Sequence, residues 1–261
     1  MASIIAVVNQ KGGVGKTTTA VNLGSYLAAH GKFVLLVDLD PQANATSGLG
    51  IDHRALERGV YESVIGSSKF RDIVVESQVE GLRVAPATAA LAGAAVELVD
   101  MERREYRLSE AIMEVRNGYD YIIIDCPPSL GLLTINGLVA AERVLIPVQA
   151  EYYALEGLSQ LLGTIELVKG SLRPDLEVMG AVLTMFDGRN SLAHQVEDEV
   201  REHFSDKVFK TVIPRNVRLS EAPSHGMPVL LYDVASRGCQ GYLAMAEEML
   251  REPTNPVVAA A

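Results

Sequence analysis

The sequence predicts an α/β fold in which helices flank a doubly wound, mostly parallel β-sheet. Three observations predict it. Apolar runs rich in β-branched residues alternate with helical patterns along the 261 residues, which is the order of a parallel sheet with helical crossovers. The runs are almost continuously hydrophobic, as in strands that are buried on both faces. A glycine-rich loop lies between the first run and the first helix, where such sheets bind ligands.

The elements follow in order from the N-terminus. The first strand is predicted at 4–8 (IIAVV). Ala20, Leu23 and Leu27 then recur at helical spacing, and Gly31 stands where a glycine often ends a helix. Further strands are predicted at 33–40, 82–87, 121–128, 143–149, 177–186 and 208–214, and further helices at about 105–117, 156–169 and 191–204. The strand–helix–strand order implies right-handed crossovers.

Bulk composition indicates a globular chain. Hydrophobic residues make up 48% of it, and there are 22 glycines and 11 prolines, so we expect a sizeable core. No linker, repeat or low-complexity block interrupts the pattern, which predicts a single domain over 1–251 and a short flexible tail at 252–261. The two cysteines, Cys126 and Cys239, lack metal-ligand spacing and are predicted to be buried thiols of a cytoplasmic protein.

The chain gives no signal for a membrane or secretory segment. No basic leader precedes the first predicted strand, and no apolar run reaches the length of a membrane span. The tail EPTNPVVAAA is broken by proline and nearly uncharged, so it does not predict a basic amphipathic helix. The formal net charge of −10 weighs against nucleic acid as a partner, although phosphate binding depends on local clusters of Lys and Arg.

The glycine-rich loop NQKGGVGKTTT is the candidate phosphate site. Gly12, Gly13 and Gly15 allow the backbone to curl so that its N–H groups face phosphate oxygens. The helix that begins near Lys16 adds the positive end of its dipole. Lys16 is predicted to reach the β- and γ-phosphates, and the hydroxyl of Thr17 to bind Mg²⁺.

Aspartates end two of the predicted strands. Asp125 closes YIIID and is predicted to contact Mg²⁺ through water, although Pro127 and Pro128 also fit an aspartate that caps a turn. Asp38 and Asp40 lie two residues apart. Near a nucleotide, one would contact the metal and the other would orient the attacking water. For Asp40, a turn-forming Asp-Pro is an equally good explanation.

The loop departs from the usual phosphate-binding spacing. G-x-x-x-x-G-K-[ST] requires a glycine at position 10, where this chain has Gln10 followed by an additional lysine, Lys11. KGGVGKT instead matches K-G-G-x-x-K-[ST], the deviant Walker A signature. Together with VLLVDLDPQANATSGLG, YDYIIIDCPPSLGLLTINGL and KTVIPRNVRLSEAPSHGMPVLLYD, it resembles the ParA/MinD-type ATPases, in particular the chromosomal ParA proteins of the Soj group, over nearly the whole chain. The resemblance implies the P-loop NTPase fold for the domain at 1–251.

The resemblance also implies roles for individual residues. In that family the additional lysine reaches across a dimer interface to the phosphates held by the other subunit, and Lys11 takes that position here. Gly12 lies where the two loops would approach, and Asp40 is the switch aspartate needed for hydrolysis. Catalytic roles thus fall to Lys11, Lys16 and Asp40, and Mg²⁺ binding to Thr17, Asp38 and Asp125. The implied ATP-binding residues are Lys11, Gly12, Gly13, Val14, Gly15, Lys16, Thr17, Thr18, Pro214 and Asn216.

The same resemblance implies that the ATP-bound homodimer binds double-stranded DNA without sequence preference. Arg189 and Arg218 match positions that the family uses for this, and Lys210 and Arg215 lie in the same region. A dimer doubles the phosphate contacts of one chain, and affinity rises steeply with their number, so an acidic chain would bind DNA only as a pair. The implied partner is a ParB-type centromere-binding protein that stimulates slow ATP hydrolysis on the nucleoid.

Other functions on the same fold stay open at this point. Positioning of another large cargo on the nucleoid is not separated from partitioning of a chromosome or plasmid. MinD-like membrane association would need the basic amphipathic helix that the tail does not supply. A nitrogenase iron protein would need cysteine ligands in a pattern that Cys126 and Cys239 do not match. A small-molecule ATP-dependent ligase would need a substrate motif, and none is assigned.

Overall fold

The computed structural model describes residues 1–151 and 154–251, and a seven-stranded sheet forms its centre. The strands are β1 Ser3–Val7, β2 Val34–Asp38, β3 Val75–Glu76, β4 Leu82–Ala85, β5 Tyr121–Asp125, β6 Arg143–Gln149 and β7 Glu177–Thr184. They lie in the order β3-β4-β2-β5-β1-β6-β7. All neighbouring strands are parallel except β3 and β4, so the predicted mostly parallel sheet is confirmed.

Helices cover both faces of this sheet. Those in the described residues are α1 Lys16–Ala29, α2 Asn44–Gly48, α3 Val60–Val64, α4 Leu91–Glu97, α5 Arg107–Met113, α6 Leu132–Ala140, α7 Ala154–Ser171, α8 Ser191–Phe204, α9 Val217–Glu221, α10 Val229–Tyr232 and α11 Arg237–Arg251. One hydrophobic core lies between the sheet and α3 to α8, and a second lies against α1, α2, α10 and α11. The central strands are hydrophobic on both sides because both faces are buried.

The clearest periodic patterns predicted their elements well. Helix α8 matches the predicted 191–204, and Val196, Val200 and Phe204 form its buried stripe. Helix α1 ends just before Gly31, whose φ of 76° is the left-handed conformation typical of glycine at helix ends. Helix α7 extends slightly beyond the predicted 156–169.

The strand predicted at 208–214 is wrong. The segment makes only isolated parallel bridges, through Val208 and Pro214. Between them, the backbone N–H groups of Lys210 and of the next residue donate to the two carboxylate oxygens of Glu248 on α11, at 2.6 and 2.9 Å. A side chain of a distant helix therefore interrupts the pairing in the middle of the segment, although Ile213 still donates to a carbonyl of β7.

Other differences concern element ends and short elements. The strand predicted at 121–128 ends at Asp125, because Pro127 and Pro128 have no N–H to continue the ladder. The helix predicted at 105–117 is the shorter α5. Helix α6 was not predicted, because most of its residues are buried and it shows no single apolar stripe. The predicted tail at 252–261 lies outside the described residues.

Two glycines in left-handed backbone conformation join distant segments. Gly50, after α2, has φ of 78°, and Gly226, after the 3₁₀ turn Ala222–His225, has φ of 65°. A Cβ atom on Gly226 would lie 2.8 Å from Cα of Gly50, and one on Gly50 would lie 2.8 Å from the carbonyl oxygen of Gly226. The segment after α2 therefore packs backbone to backbone against the segment after α9.

We predict that Gly226→Ala destabilises the protein. The added methyl group meets backbone rather than a movable side chain, and the left-handed conformation adds strain, so the expected loss is about 1–3 kcal/mol. Urea unfolding of both proteins measures it. Gly118→Ala is the matched control, since a Cβ there would have no atom of the other described residues within 4 Å beyond its chain neighbours. Equal stability of the two variants would contradict the packing argument.

Candidate active site

The glycine-rich loop and the predicted aspartates meet at the carboxyl edge of the sheet. Asp125 ends β5 and lies in register with Val7 at the end of β1 and with Asp38 at the end of β2. The loop leaves β1 at this edge and leads into α1, which begins at Lys16. The structure thus brings together residues that are far apart in the chain, as the strand-end pattern predicted.

Two glycines set the shape of the loop. Gly13 and Gly15 have φ of 76° and 88°, values that favour glycine over any residue with a Cβ. Gly15 directly precedes α1, so the turn aims the first N–H groups of that helix at the space above the loop. Val14 is buried, and Thr17 and Thr18 lie half-buried in the first turn of α1.

Two polar side chains that sequence reasoning missed hold the loop in place. The amide of Asn9 donates to the carbonyl oxygen of Pro147 at 2.7 Å, and its Oδ1 accepts from the N–H of Lys11 at 3.0 Å. The hydroxyl of Thr184, at the end of β7, donates to the carbonyl of Val14 at 2.8 Å. Both side chains are buried. The signal available in the sequence was a polar residue at the end of a hydrophobic strand. Asn9 also stands directly before the glycine-rich loop.

Lys16 points into the site rather than out of it. Its side chain is 6% exposed, and its Nζ donates to the carbonyl oxygen of Lys11 at 3.2 Å. Burial lowers the pKa of Lys16, and the negative charge of Asp125 is the largest influence in the opposite direction. A buried ammonium group at the start of a helix is well suited to contact phosphate.

Asp125 is fully buried, and neither of its carboxylate oxygens makes a hydrogen bond of normal geometry within the described chain. Burial raises its pKa well above the ordinary value, the charge of Asp38 adds to the rise, and the hydroxyl of Thr17 and the ammonium of Lys16 act in the opposite direction. An orphaned carboxylate is costly unless a cation or a donor meets it. Asp125 and Thr17 therefore fit the predicted magnesium site.

Asp38 has a different environment from Asp125. Its Oδ2 accepts from the backbone N–H and the hydroxyl of Thr46, at 2.8 and 2.7 Å, and its Oδ1 accepts from the N–H of Asp40 at 3.2 Å. Burial raises the pKa of Asp38 to about 6, against the effect of these hydrogen bonds. The Thr46 hydroxyl also accepts from the N–H of Ala87 at 3.1 Å. Asp38 thus holds the loop after β2, and its role as a metal ligand stays a prediction.

Asp40 lies in that loop, where the Asp-Pro pair does form a turn. Its Oδ1 accepts from the N–H of Gln42 at 2.9 Å, and its carbonyl accepts from the N–H of Ala43 at 2.9 Å. Ala43 is buried and has φ of 53°, a left-handed conformation that is uncommon for alanine. Asp40 itself is 7% exposed. The turn and a catalytic role are therefore compatible.

Lys11 and Gly12 lie on the outer side of the loop. The Nζ of Lys11 is 3.6 Å from Oε2 of Glu151. Gly12 is exposed, and the nearest atom to a Cβ placed there is Cβ of Pro128, at 4.0 Å. A Cβ atom at Gly12 therefore makes no close contact with the described residues.

The segment with Pro214 and Asn216, which the resemblance predicts to bind ATP, lies beyond β7. Pro214 bridges to Phe186, and the N–H of Arg215 donates to the carbonyl of Phe186 at 3.1 Å. The side chain of Asn216 caps α9 by accepting from the N–H of Arg218 at 2.9 Å. These contacts hold the segment beside β7, and its contact with a nucleotide stays a prediction.

Both arginines predicted to bind DNA are ion-paired within the chain. Arg189 donates to both carboxylate oxygens of Asp187, at 3.0 and 2.9 Å, and this pairing lowers the pKa of Asp187 to about 2. Arg218 contacts Glu221 at 2.7 Å and Asp233 at 3.1 Å. Sequence reasoning found the arginines and missed their acidic partners.

Comparison with known proteins identifies the family. A family model described as an AAA domain matches residues 2–178. The chain is 60% identical to the sporulation initiation inhibitor protein Soj of Bacillus subtilis, over 95% of this chain and 98% of that protein. It is 54% identical to the chromosome partitioning protein ParA of Myxococcus xanthus, over 96% and 89%. The chain belongs to the Soj/ParA family. The P-loop NTPase fold predicted for this chain is therefore confirmed.

A solved structure shares this fold. The protein described as cobyrinic acid a,c-diamide synthase from Mycobacterium smegmatis, with bound ADP and magnesium, superposes with a TM-score of 0.85. Its sequence is 38% identical over 96% of this chain and 95% of that chain. None of the described helices of this Soj/ParA chain is long and apolar enough to cross a bilayer.

Asp38 and Asp125, which are both fully buried, predict opposite effects of neutral substitution. Asp125→Asn removes an orphaned charge, so it should raise the free energy of unfolding by roughly 1–3 kcal/mol. Asp38→Asn turns one of two accepting oxygens into an N–H₂ donor, so at least one of the three hydrogen bonds is lost, and the free energy of unfolding should fall by roughly 1–3 kcal/mol. The advantage of Asp125→Asn should grow as pH rises from about 4, because an acid with a raised folded-state pKa loses folded stability as it ionises. Thermal unfolding between pH 4 and 8 measures both.

Exposed Asp175 offers the control for the pH dependence. Asp175→Asn should show no stabilisation that grows with pH. If Asp125→Asn proved less stable than the parent protein throughout this range, the assignment of Asp125 as an orphaned charge would be wrong.

Proposed function

We propose that this protein is a partitioning ATPase whose ATP-bound homodimer binds double-stranded DNA without sequence preference. The observation that carries the proposal is the opposite placement of the two loop lysines. Lys16 is buried at the start of α1, whereas Lys11 lies on the outer side of the loop with its side chain 36% exposed. Family membership at 54–60% identity with chromosome-partitioning and Soj proteins supports it.

ATP with Mg²⁺ is the ligand that the site suits. The backbone N–H groups between Gly12 and Thr18 and the buried ammonium of Lys16 supply positive charge and hydrogen-bond donors for phosphates. The hydroxyl of Thr17 and the orphaned carboxylate of Asp125 would hold magnesium, which neutralises charge on the phosphates when bound. The related solved structure with ADP and magnesium supports this choice.

Lys11 would act on the nucleotide of the partner subunit. An ammonium group supplied from outside the pocket adds charge stabilisation at the transferring phosphoryl group only when two chains meet. The exposed Gly12 beside it leaves room for that approach. ATP would thus hold a pair of chains together, and hydrolysis would release them.

Asp40 is the residue we assign to hydrolysis. Its turn keeps the buried carboxylate at the carboxyl edge of the sheet, just beyond β2, and its Oδ1 already accepts from a backbone N–H. In this position it would orient the attacking water, with Lys16 and Lys11 stabilising charge on the phosphoryl oxygens. We expect slow hydrolysis by the protein alone.

Arg189 and Arg218 are the proposed DNA contacts. Both are exposed enough to reach a phosphate, with side chains 91% and 47% exposed. A DNA phosphate would have to replace the carboxylate that each arginine holds in the chain. The net charge of −10 opposes binding by one chain, and a dimer doubles the number of arginines that face the same duplex.

A ParB-type protein is the proposed partner that stimulates hydrolysis and so releases the dimer. An acidic surface is compatible with a basic partner segment. We place the protein in the cytoplasm and on the nucleoid on the same grounds. A small-molecule ligase is the second candidate, favoured by the 38% identity to a protein described as a synthase, and it would require a small acceptor rather than DNA.

The dimer gives the first test. Asp40→Ala, which should block hydrolysis, is expected to form a dimer in ATP and Mg²⁺, because bound ATP persists. Adding Lys11→Ala should leave a single chain, because the charge supplied across the interface is lost. Light scattering after size-exclusion chromatography measures the mass. A monomeric Asp40→Ala protein at saturating ATP would falsify the proposal.

DNA binding gives the second test, in the Asp40→Ala background with ATP. Each arginine that neutralises a phosphate contributes about 0.9 to the slope of log affinity against log salt. Arg189→Ala should therefore weaken binding to any duplex and reduce the slope by about 2 for a dimer, as measured by fluorescence anisotropy between about 50 and 200 mM salt.

Arg83→Ala is the matched control for this measurement. Arg83 is exposed and also ion-paired, with Glu76 at 3.3 Å, but it lies on β4 near the edge of the sheet. Its replacement should leave the slope unchanged. An unchanged slope for Arg189→Ala would exclude Arg189 as a DNA contact.

A further inference from the structure

A carboxylate that sequence reasoning did not single out lies against the outer lysine of the loop. Glu151 follows β6, and its Oε2 is 3.6 Å from Nζ of Lys11. Its Oε1 is 3.5 Å from Nη2 of Arg215, and it also accepts from Nε2 of Gln149 at 2.5 Å. Glu151 lies two residues beyond the end of β6 and thus joins the phosphate loop to the segment after β7.

The two lysines of the loop are therefore both engaged within one chain, in different ways. Lys16 is buried and donates to the carbonyl of Lys11. Lys11 faces outward, and its charge is balanced by Glu151. Any action of Lys11 on phosphates of another chain requires its ammonium group to leave this carboxylate.

We propose that Glu151 is a positioning residue that holds Lys11 within its own chain and competes for it with the nucleotide of the partner subunit. This inference rests on the proposed function, because it concerns the same lysine. Glu151 would set the protein concentration at which ATP-bound chains pair. Glu151, which lies beside the phosphate loop in space, would thereby affect the dimerisation equilibrium.

Exposure determines how strong this competition is. The side chains of Lys11 and Glu151 are 36% and 47% exposed, and ion pairs between exposed groups are weak and screened by salt. A nucleoside triphosphate carries more negative charge than one carboxylate, so it can displace Glu151 from the ammonium group of Lys11. The contact therefore raises the protein concentration needed for dimerisation without preventing dimerisation. Two such contacts must open for each dimer.

Arg215 gives the arrangement a second property. It shares the carboxylate of Glu151, so the carboxylate keeps a cationic partner after Lys11 leaves. Without Arg215, Glu151 would have Lys11 as its only cation among these contacts, and departure of Lys11 would leave a negative charge beside the incoming phosphates. Neutral substitutions of Glu151 and Arg215 should therefore shift dimerisation in opposite directions.

The experiment measures the dimer dissociation constant by sedimentation velocity, in the Asp40→Ala protein with ATP and Mg²⁺. Glu151→Gln should lower this constant roughly 2- to 30-fold, as expected from two exposed ion pairs per dimer. Arg215→Gln should raise it. The effect of Glu151→Gln should shrink in about 0.5 M NaCl, where the ion pair is screened.

Two controls isolate the contact with Lys11. Glu76→Gln removes a carboxylate that pairs with Arg83 at the far side of the sheet, and it should not change the dissociation constant. The affinity of the single chain for ADP, measured at a protein concentration well below dimerisation, should be the same with and without Glu151→Gln. A simple relief of repulsion between Glu151 and phosphates would instead tighten ADP binding.

The outcomes separate this inference from the proposed function. A parent Asp40→Ala protein that stays monomeric in ATP overturns the proposed function. A parent that dimerises, with Glu151→Gln showing the same or a higher dissociation constant, overturns the role of Glu151 alone. Tighter ADP binding by the Glu151→Gln single chain also overturns it. A lower dissociation constant with unchanged ADP affinity supports it.

Discussion

Three carboxylates, those of Asp38, Asp40 and Asp125, and the ammonium group of Lys16 are buried at the carboxyl edge of a sheet whose strands are otherwise hydrophobic. Burial of charge is costly, and the four groups are compensated unequally. Asp38 accepts three hydrogen bonds, Asp40 accepts one and Lys16 donates to a loop carbonyl, but Asp125 has no such partner among the described residues. The folded chain therefore presents an incomplete electrostatic arrangement, which a ligand that brings both a divalent cation and phosphates would complete.

Ion pairing within the chain is a recurring feature of the residues expected to contact phosphate outside the pocket. Lys11 faces Glu151, Arg189 faces Asp187, and Arg218 faces two carboxylates. These side chains are 32% to 91% exposed, so the pairs are screened by water, weak and reversible. The acidic residues of the protein thus act locally at these positions. Binding of nucleotide or DNA there would replace a carboxylate of the chain by a phosphate.

Sequence patterns predicted those parts of the fold that are specified by residues close together in the chain. Helix α8 has a strict apolar stripe, and the central strands are continuous hydrophobic runs. The segment at 208–214 is also rich in β-branched and aromatic residues but is not a strand, because Glu248 on α11 takes two of its backbone donors. No pattern within the segment contains that information. Helix α6 was missed for a different reason: it is buried on most sides and has no single apolar stripe to reveal it.

The amino-acid sequence by itself determined the phosphate-binding loop, its additional lysine and the aspartates at the strand ends, because spacing along the chain specifies which groups follow a strand. Only the tertiary structure decided what each charge faces. It gave Asp38 three donors and left Asp125 without one in the part of the chain that the structure describes, and it brought Glu151 to Lys11 across 140 residues of chain. The physical reason is that electrostatic energy depends on distance and burial in three dimensions, which a linear pattern does not contain.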